Sequence, residues 1–220
     1  MSTQTLSTQE EWEVTMPTTA TRDPRSDHLL TTENSALVFI DYQPGLVDGT
    51  YSIEHDVLIN NVVAMAKAAK MYDLPIVLST VGVDAGFQQP TIPELLDVLG
   101  DVTTVDRDVV DAWDSAEFRA AIEATGRKKI VMAALWTEVC LVYPALDMLL
   151  EGYEIYALSD VSGGTTVDAH ERGMQRLIQA GAVPVTWEAV MAELGRLGSY
   201  DISGFVDIMT EHLPKSVPQR

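Results

Sequence analysis

Six short strand-like runs, most of them apolar, separated by segments of helical period, constrain what this chain can fold into more than any other feature. The runs span 36–40, 75–80, 103–105, 130–135, 153–158 and 183–187. Between and after them, 57–71, 92–99, 116–125, 141–150, 167–180 and 189–196 read as helices, with apolar faces such as Val62, Val63, Ala66 and Ala69. Uninterrupted apolar runs mean strands buried on both faces, and strands alternating with helices mean a parallel sheet covered on each side. The expected fold class is therefore α/β: a three-layer α/β/α sandwich on a six-stranded parallel sheet, Rossmann-like in type. With 220 residues, 46% of them hydrophobic, the chain can fill one such domain. The expected division is a flexible or arm-like leader over 1–27, rich in Ser, Thr, Glu and Pro, a domain over 28–202, and a C-terminal arm over 203–220.

Several function classes fall away on composition. A formal net charge of −19 opposes binding to a phosphate backbone, which needs clustered Lys and Arg. No apolar run approaches the roughly 18 residues of a membrane span, and the polar, acidic start lacks the pattern of a signal peptide. One cysteine leaves no internal disulfide, which fits a cytoplasmic protein. The expected partner is a small molecule, with no nucleic acid and no membrane.

In open α/β sheets, ligands bind beyond the carboxyl ends of the strands. Three polar residues stand there: Asp41 follows the first run, Arg107 lies just after the third, and Cys140 closes the short turn after the fourth. A thiol in the first turn of a helix meets unpaired N–H groups and the positive end of the dipole, both of which favour the thiolate. A carboxylate beside it can take its proton and return it to a leaving group. A nearby cation lowers the thiol pKa and steadies the carboxylate. Each residue also has a plainer reading: the cysteine as a small buried hydrophobe, the aspartate as a turn former, the arginine as a surface ion pair. Spacing by itself leaves both readings open.

Other motifs carry less. Ser162-Gly-Gly-Thr-Thr166 lacks the lysine ending and glycine spacing of a phosphate loop, so it reads as a strand-to-helix connection. Asp160 reads as a brace for that loop, and His170 as a structural or interface residue. No Gly-x-Ser-x-Gly elbow is present, which disfavours a serine hydrolase.

The segments Leu-Val-Phe-Ile-Asp41-Tyr-Gln43, Arg107-Asp-Val-Val-Asp-Ala-Trp113-Asp and Thr137-Glu-Val-Cys140 resemble the isochorismatase-like cysteine hydrolase superfamily, and within it the YcaC-type branch. The similarity runs from Ser35 to Leu194. The resemblance implies a catalytic triad with Asp41 as base, Cys140 as nucleophile and Arg107 as the cation, where the superfamily triad carries lysine. An arginine stays protonated, so it can stabilise charge but cannot exchange a proton. Also implied are a non-proline cis peptide between Leu135 and Trp136, and an oxyanion hole built from the N–H groups of Trp136 and Cys140. Gln43, Trp113, Trp136 and Thr137 are the expected substrate-binding residues.

The activity implied is cofactor-independent hydrolysis of a small molecule, above all at a C–N amide-type bond through a Cys140 thioester. Nicotinamidases of the superfamily hold a metal through an Asp-x-His pair and a further histidine. The matching stretch, Thr80 to Gln88, has no histidine, and His28, His55, His170 and His212 are scattered, so no metal is expected. Two rival readings are a catalytically idle or redox-reactive oligomeric binding protein of the same fold, and a hydrolase of a non-amide bond such as the vinyl ether of isochorismate. The resemblance further implies a homo-oligomer, an octamer in the YcaC-type branch.

Overall fold

The structure, a computed structural model, describes residues 23–196 and 201–213. Its strands are β1 (Ser35–Ile40), β2 (Ile76–Val81), β3 (Thr104–Arg107), β4 (Lys129–Ala134), β5 (Glu154–Leu158) and β6 (Val183–Val185). They form one parallel sheet in the order β3-β2-β1-β4-β5-β6. The helices are α1 (Pro44–Asp48), α2 (His55–Met71), α3 (Pro93–Leu99), α4 (Ala116–Ala124), α5 (Val142–Leu150), α6 (Val167–Ala180), α7 (Trp187–Gly195) and α8 (Ile202–His212). The chain lays β1 to β3 outward to one side, then begins again beside β1 with β4. That reversal of order opens a crevice past the carboxyl ends of β1 and β4.

Every position of β1 and β4 is buried, as their apolar runs require. Alternation across the pleat divides the core into two layers. Leu37, Phe39, Val131 and Ala133 pack with α1, α2, α3, α7 and α8, whereas Ala36, Val38, Ile130 and Met132 pack with α4, α5 and α6. This is the three-layer sandwich with a six-stranded parallel sheet that the sequence predicts.

Differences lie at element ends. The sixth strand stops at Val185 instead of Trp187 because Thr186 caps α7, its hydroxyl accepting the Ala189 N–H at 3.3 Å. Leu135 leaves the ladder of β4 and bridges Gly163. Helix α1 has five residues and opens at Pro44, too short for a period to show in sequence. The helix expected from Leu141 begins earlier, as a π-helical turn over Thr137–Leu141 that runs into α5.

The arm expected from 203 onward begins as α8, which packs on α2 of the same chain. Lys67 Nζ pairs there with Glu211 Oε1 at 2.7 Å, and Asn60 Nδ2 donates to the His212 carbonyl at 3.0 Å. The leader expected over 1–27 is described only from Asp23, and 214–220 lies outside the described residues.

Candidate active site

Asp41 is the first residue beyond β1. Its φ of 66° lies in the left-handed region, which aspartate tolerates better than most residues. The Asp41 N–H still donates to the Ser79 carbonyl at 2.9 Å, and the Gln43 N–H closes on the Asp41 carbonyl at 2.7 Å. Arg107, the last residue of β3, meets this carboxylate as a fork: Nη1 donates to Oδ1 and Nη2 to Oδ2, each at 2.6 Å. Both side chains are fully buried. Nη1 also donates to the Thr80 carbonyl at 3.0 Å, which fixes the plane of the guanidinium. Burial opposes the charge on Arg107, but the hydrogen bonds and charge of Asp41 outweigh it and raise its pKa above the ordinary arginine value.

Cys140 lies in the π-helical turn after β4, and its thiol hydrogen-bonds the Asp41 carboxylate. The three residues therefore meet, with Asp41 in the middle. The electrostatics correct the expectation of a favoured thiolate. Burial first, then the charge of Asp41 and the hydrogen bond to it, push the Cys140 thiol up to about 12, against the opposing pull of Arg107 and the Trp136 N–H. The reason is charge balance: beside one cation, a buried carboxylate and sulfur are neutral together only if they share one proton. Most N–H groups at the start of the turn are also engaged. The Cys140 and Val139 N–H groups both donate to the Trp136 carbonyl, at 2.9 and 3.1 Å, and the Thr137 N–H donates to the Gly163 carbonyl at 2.9 Å.

The peptide between Leu135 and Trp136 is cis. Of the two expected oxyanion donors, the Trp136 N–H reaches the sulfur. The Cys140 N–H is engaged by the Trp136 carbonyl.

Three of the expected substrate-binding residues have their polar atoms engaged inside the protein. Gln43 is buried and clamps the loop after β2: its amide donates to the Gln89 carbonyl at 2.7 Å and accepts the Val81 N–H at 3.0 Å. Trp113 is core packing, edge-on to Phe118 and Tyr153, with its indole N–H on Glu151 at 2.9 Å. Thr137 is buried, and its hydroxyl shares a hydrogen bond of 2.8 Å with His170 Nδ1. Trp136 alone of the four is half-buried. Its indole N–H donates to the Leu46 carbonyl at 3.0 Å, and its ring lies so close to Gly49 that a Cβ there would sit 2.5 Å from Cζ2.

Residues not singled out in the sequence support the site from behind. Glu138 accepts the Thr165 N–H at 3.0 Å and its hydroxyl at 2.7 Å, tying the turn of Cys140 to the glycine-rich connection. The only signal for this was the run of small residues, which permits close approach. Beside Arg107 lies a cleft of about 540 Å³ whose walls carry Asp84, Asp106, Asp108, Asp114 and Glu117. Among the described residues, no group of three or more His, Cys, Asp or Glu is placed to hold a metal ion. No helix among them is long and apolar enough to cross a membrane.

Residues 35–189 match the isochorismatase domain family. "Probable hydrolase YcaC" of Escherichia coli K12 is 35% identical over 182 residues, covering 82% of this chain and 87% of that protein. YcaC from Pseudomonas aeruginosa, solved with hexane-2,5-diol and covalent acrylamide, is 33% identical with a TM-score of 0.81, covering 85% of this chain and 93% of that one. The solved Escherichia coli YcaC, described as an octameric hydrolase of unknown specificity, is 34% identical with a TM-score of 0.81, covering 86% and 92%.

Proposed function

We propose that this chain, which belongs to the isochorismatase domain family, is a hydrolase that cleaves an amide-type C–N bond of a small molecule through a thioester on Cys140. The observation that carries the reading is the shared Asp41 carboxylate, held by the Arg107 fork on one side and bonded to the Cys140 thiol on the other. As the sulfur bonds the carbonyl carbon, its proton passes to Asp41, and the Trp136 N–H donates to the oxygen that gains charge. Asp41 then hands the proton to the leaving nitrogen as the C–N bond breaks, giving a free amine and an acyl thioester. A water next gives its proton to Asp41 while its oxygen bonds the acyl carbon. The sulfur departs and takes that proton back, and the acid is released. Arg107 stays protonated throughout and keeps the carboxylate oriented.

Arg107 occupies the place of the superfamily's lysine, and no step above asks it for a proton. The test is intact-mass analysis after exposure to a panel of small amides. The wild type is expected to carry an acyl adduct on its one thiol and to release amine, and Cys140→Ala to do neither with its fold retained. Turnover by Cys140→Ala at the wild-type rate overturns the reading.

A catalytically idle binding protein of the same fold is favoured by one observation, the engagement of the Cys140 N–H with the Trp136 carbonyl, which halves the donors facing the reaction centre. Absence of any adduct across the panel supports that alternative. We further propose a cytoplasmic homo-oligomer, in keeping with the octameric YcaC. Light scattering on the eluting protein is expected to give several times the monomer mass of 24.1 kDa, and a monomer overturns this.

A further inference from the structure

Cys140 is carried by the π-helical turn over Thr137–Leu141. That form is marked by the Val142 N–H donating to the Thr137 carbonyl, five residues back. Such turns are intrinsically disfavoured and need support from their surroundings. Cys140 itself follows Trp136 at α spacing, its N–H on the Trp136 carbonyl at 2.9 Å, so its place depends on how the first residues of the turn are held. A shift of Thr137 would carry Cys140 away from Asp41.

The support converges on Thr137. Its N–H is held by the Gly163 carbonyl at 2.9 Å. Its methyl group faces Gly173 of α6 so closely that a Cβ there would lie 3.1 Å from Cγ2. Its hydroxyl is held by Nδ1 of His170, one turn earlier on α6, at 2.8 Å. Helix α6 is itself anchored, since the Thr166 hydroxyl caps it by accepting the Ala169 N–H at 3.0 Å. Burial lowers the pKa of His170, opposed by the carboxylates of Glu138 and Glu171, so the ring is neutral at ordinary pH.

We propose that His170 is a positioning residue, whose bond to the Thr137 hydroxyl fixes the start of the turn and so keeps the nucleophilic sulfur on Asp41. This rests on the function proposed above. Alkylation of the one thiol by iodoacetamide, followed by intact mass from about pH 6 to about pH 10, reads the sulfur's surroundings without any substrate. A thiol held on Asp41, with its pKa near 12, reacts faster with every rise in pH across that range. A released thiol levels off once past its ordinary value of about 8.5.

The wild-type profile is expected to keep climbing. His170→Ala is expected to level off, its midpoint dropping into the range of an ordinary thiol. His170→Asn, whose amide stands where Nδ1 stands, is expected to restore the climb. Thr137→Val removes the hydroxyl while keeping the methyl against Gly173, and is expected to match His170→Ala; it carries the test if that variant fails to fold. A climbing profile in His170→Ala, or levelling in His170→Asn alongside it, overturns the proposal. Levelling in the wild type itself overturns the proton sharing of Cys140 with Asp41, and with it this proposal, before any variant is made, while the function above stands or falls on Cys140→Ala.

Discussion

Arg107 uses both ends of its guanidinium on both oxygens of Asp41, a geometry that a lysine ammonium cannot copy. The pair leaves the proton shared by Asp41 and Cys140 as the one mobile charge of the trio. A sign follows for Asp41→Asn. The charge of Asp41 and its hydrogen bond both raise the thiol pKa, while Arg107 lowers it. Removing the carboxylate charge is therefore expected to bring the thiol down from about 12 and leave Arg107 facing the sulfur, while amide turnover is lost with the base. Thiolate absorbance against pH measures the first effect, and a midpoint that stays put or rises would sink the account. These three residues were legible in the sequence because strand ends mark the crevice and the flanking motifs are specific. The internal bonds of Gln43, Trp113 and Thr137 were not legible, because a motif places a residue near a site without telling which way its side chain points.

At the scale of elements, the turn bearing Cys140 is wedged between the glycine-rich connection and α6. A Cβ on Gly164 would lie 2.6 Å from Glu138 Oε2 and 2.8 Å from the backbone nitrogen of His170. Gly164→Ala is therefore expected to cost about 1–3 kcal/mol through overpacking, read as a lower urea midpoint. An unchanged midpoint means that the connection yields and is no wedge. The strands and long helices were legible to within a residue or two, since burial on both faces leaves continuous apolar runs. The π-helical turn was not, because over five residues its period cannot be told from that of an α-helix. Helix α8 was hidden for another reason. Its exposed Ile202 and Val206 and its Gly204 blur the apolar face that packs on α2.

Across the whole molecule, α8 is latched by a histidine. His212 Nδ1 lies 2.9 Å from Asn60 Oδ1, and its Nε2 lies 3.1 Å from Lys67 Nζ. Lysine can only donate, so Nε2 accepts, and the ring is neutral with its hydrogen on Nδ1. Burial and then Lys67 lower the His212 pKa, with Glu211 opposing. An undocked His212 thus takes up a proton more readily, so the latch holds above about pH 6.5 and weakens as pH falls below it. Hydrogen exchange over 202–212, corrected for intrinsic rates, is expected to quicken between about pH 7.5 and about pH 5 in the wild type but not in His212→Gln. Equal protection at both values in the wild type contradicts the latch.

The ladder between β1 and β4 runs unbroken from Ser35 on Lys129 to Ile40 on Ala134. Asp41 and the turn of Cys140 both leave the sheet from its end. That ladder works as a ruler: the gap that the proton crosses is set by buried backbone at the centre of the molecule. The loop over 82–91, which follows β2, lies outside that ladder, so its length and composition can change while the spacing beneath it is kept.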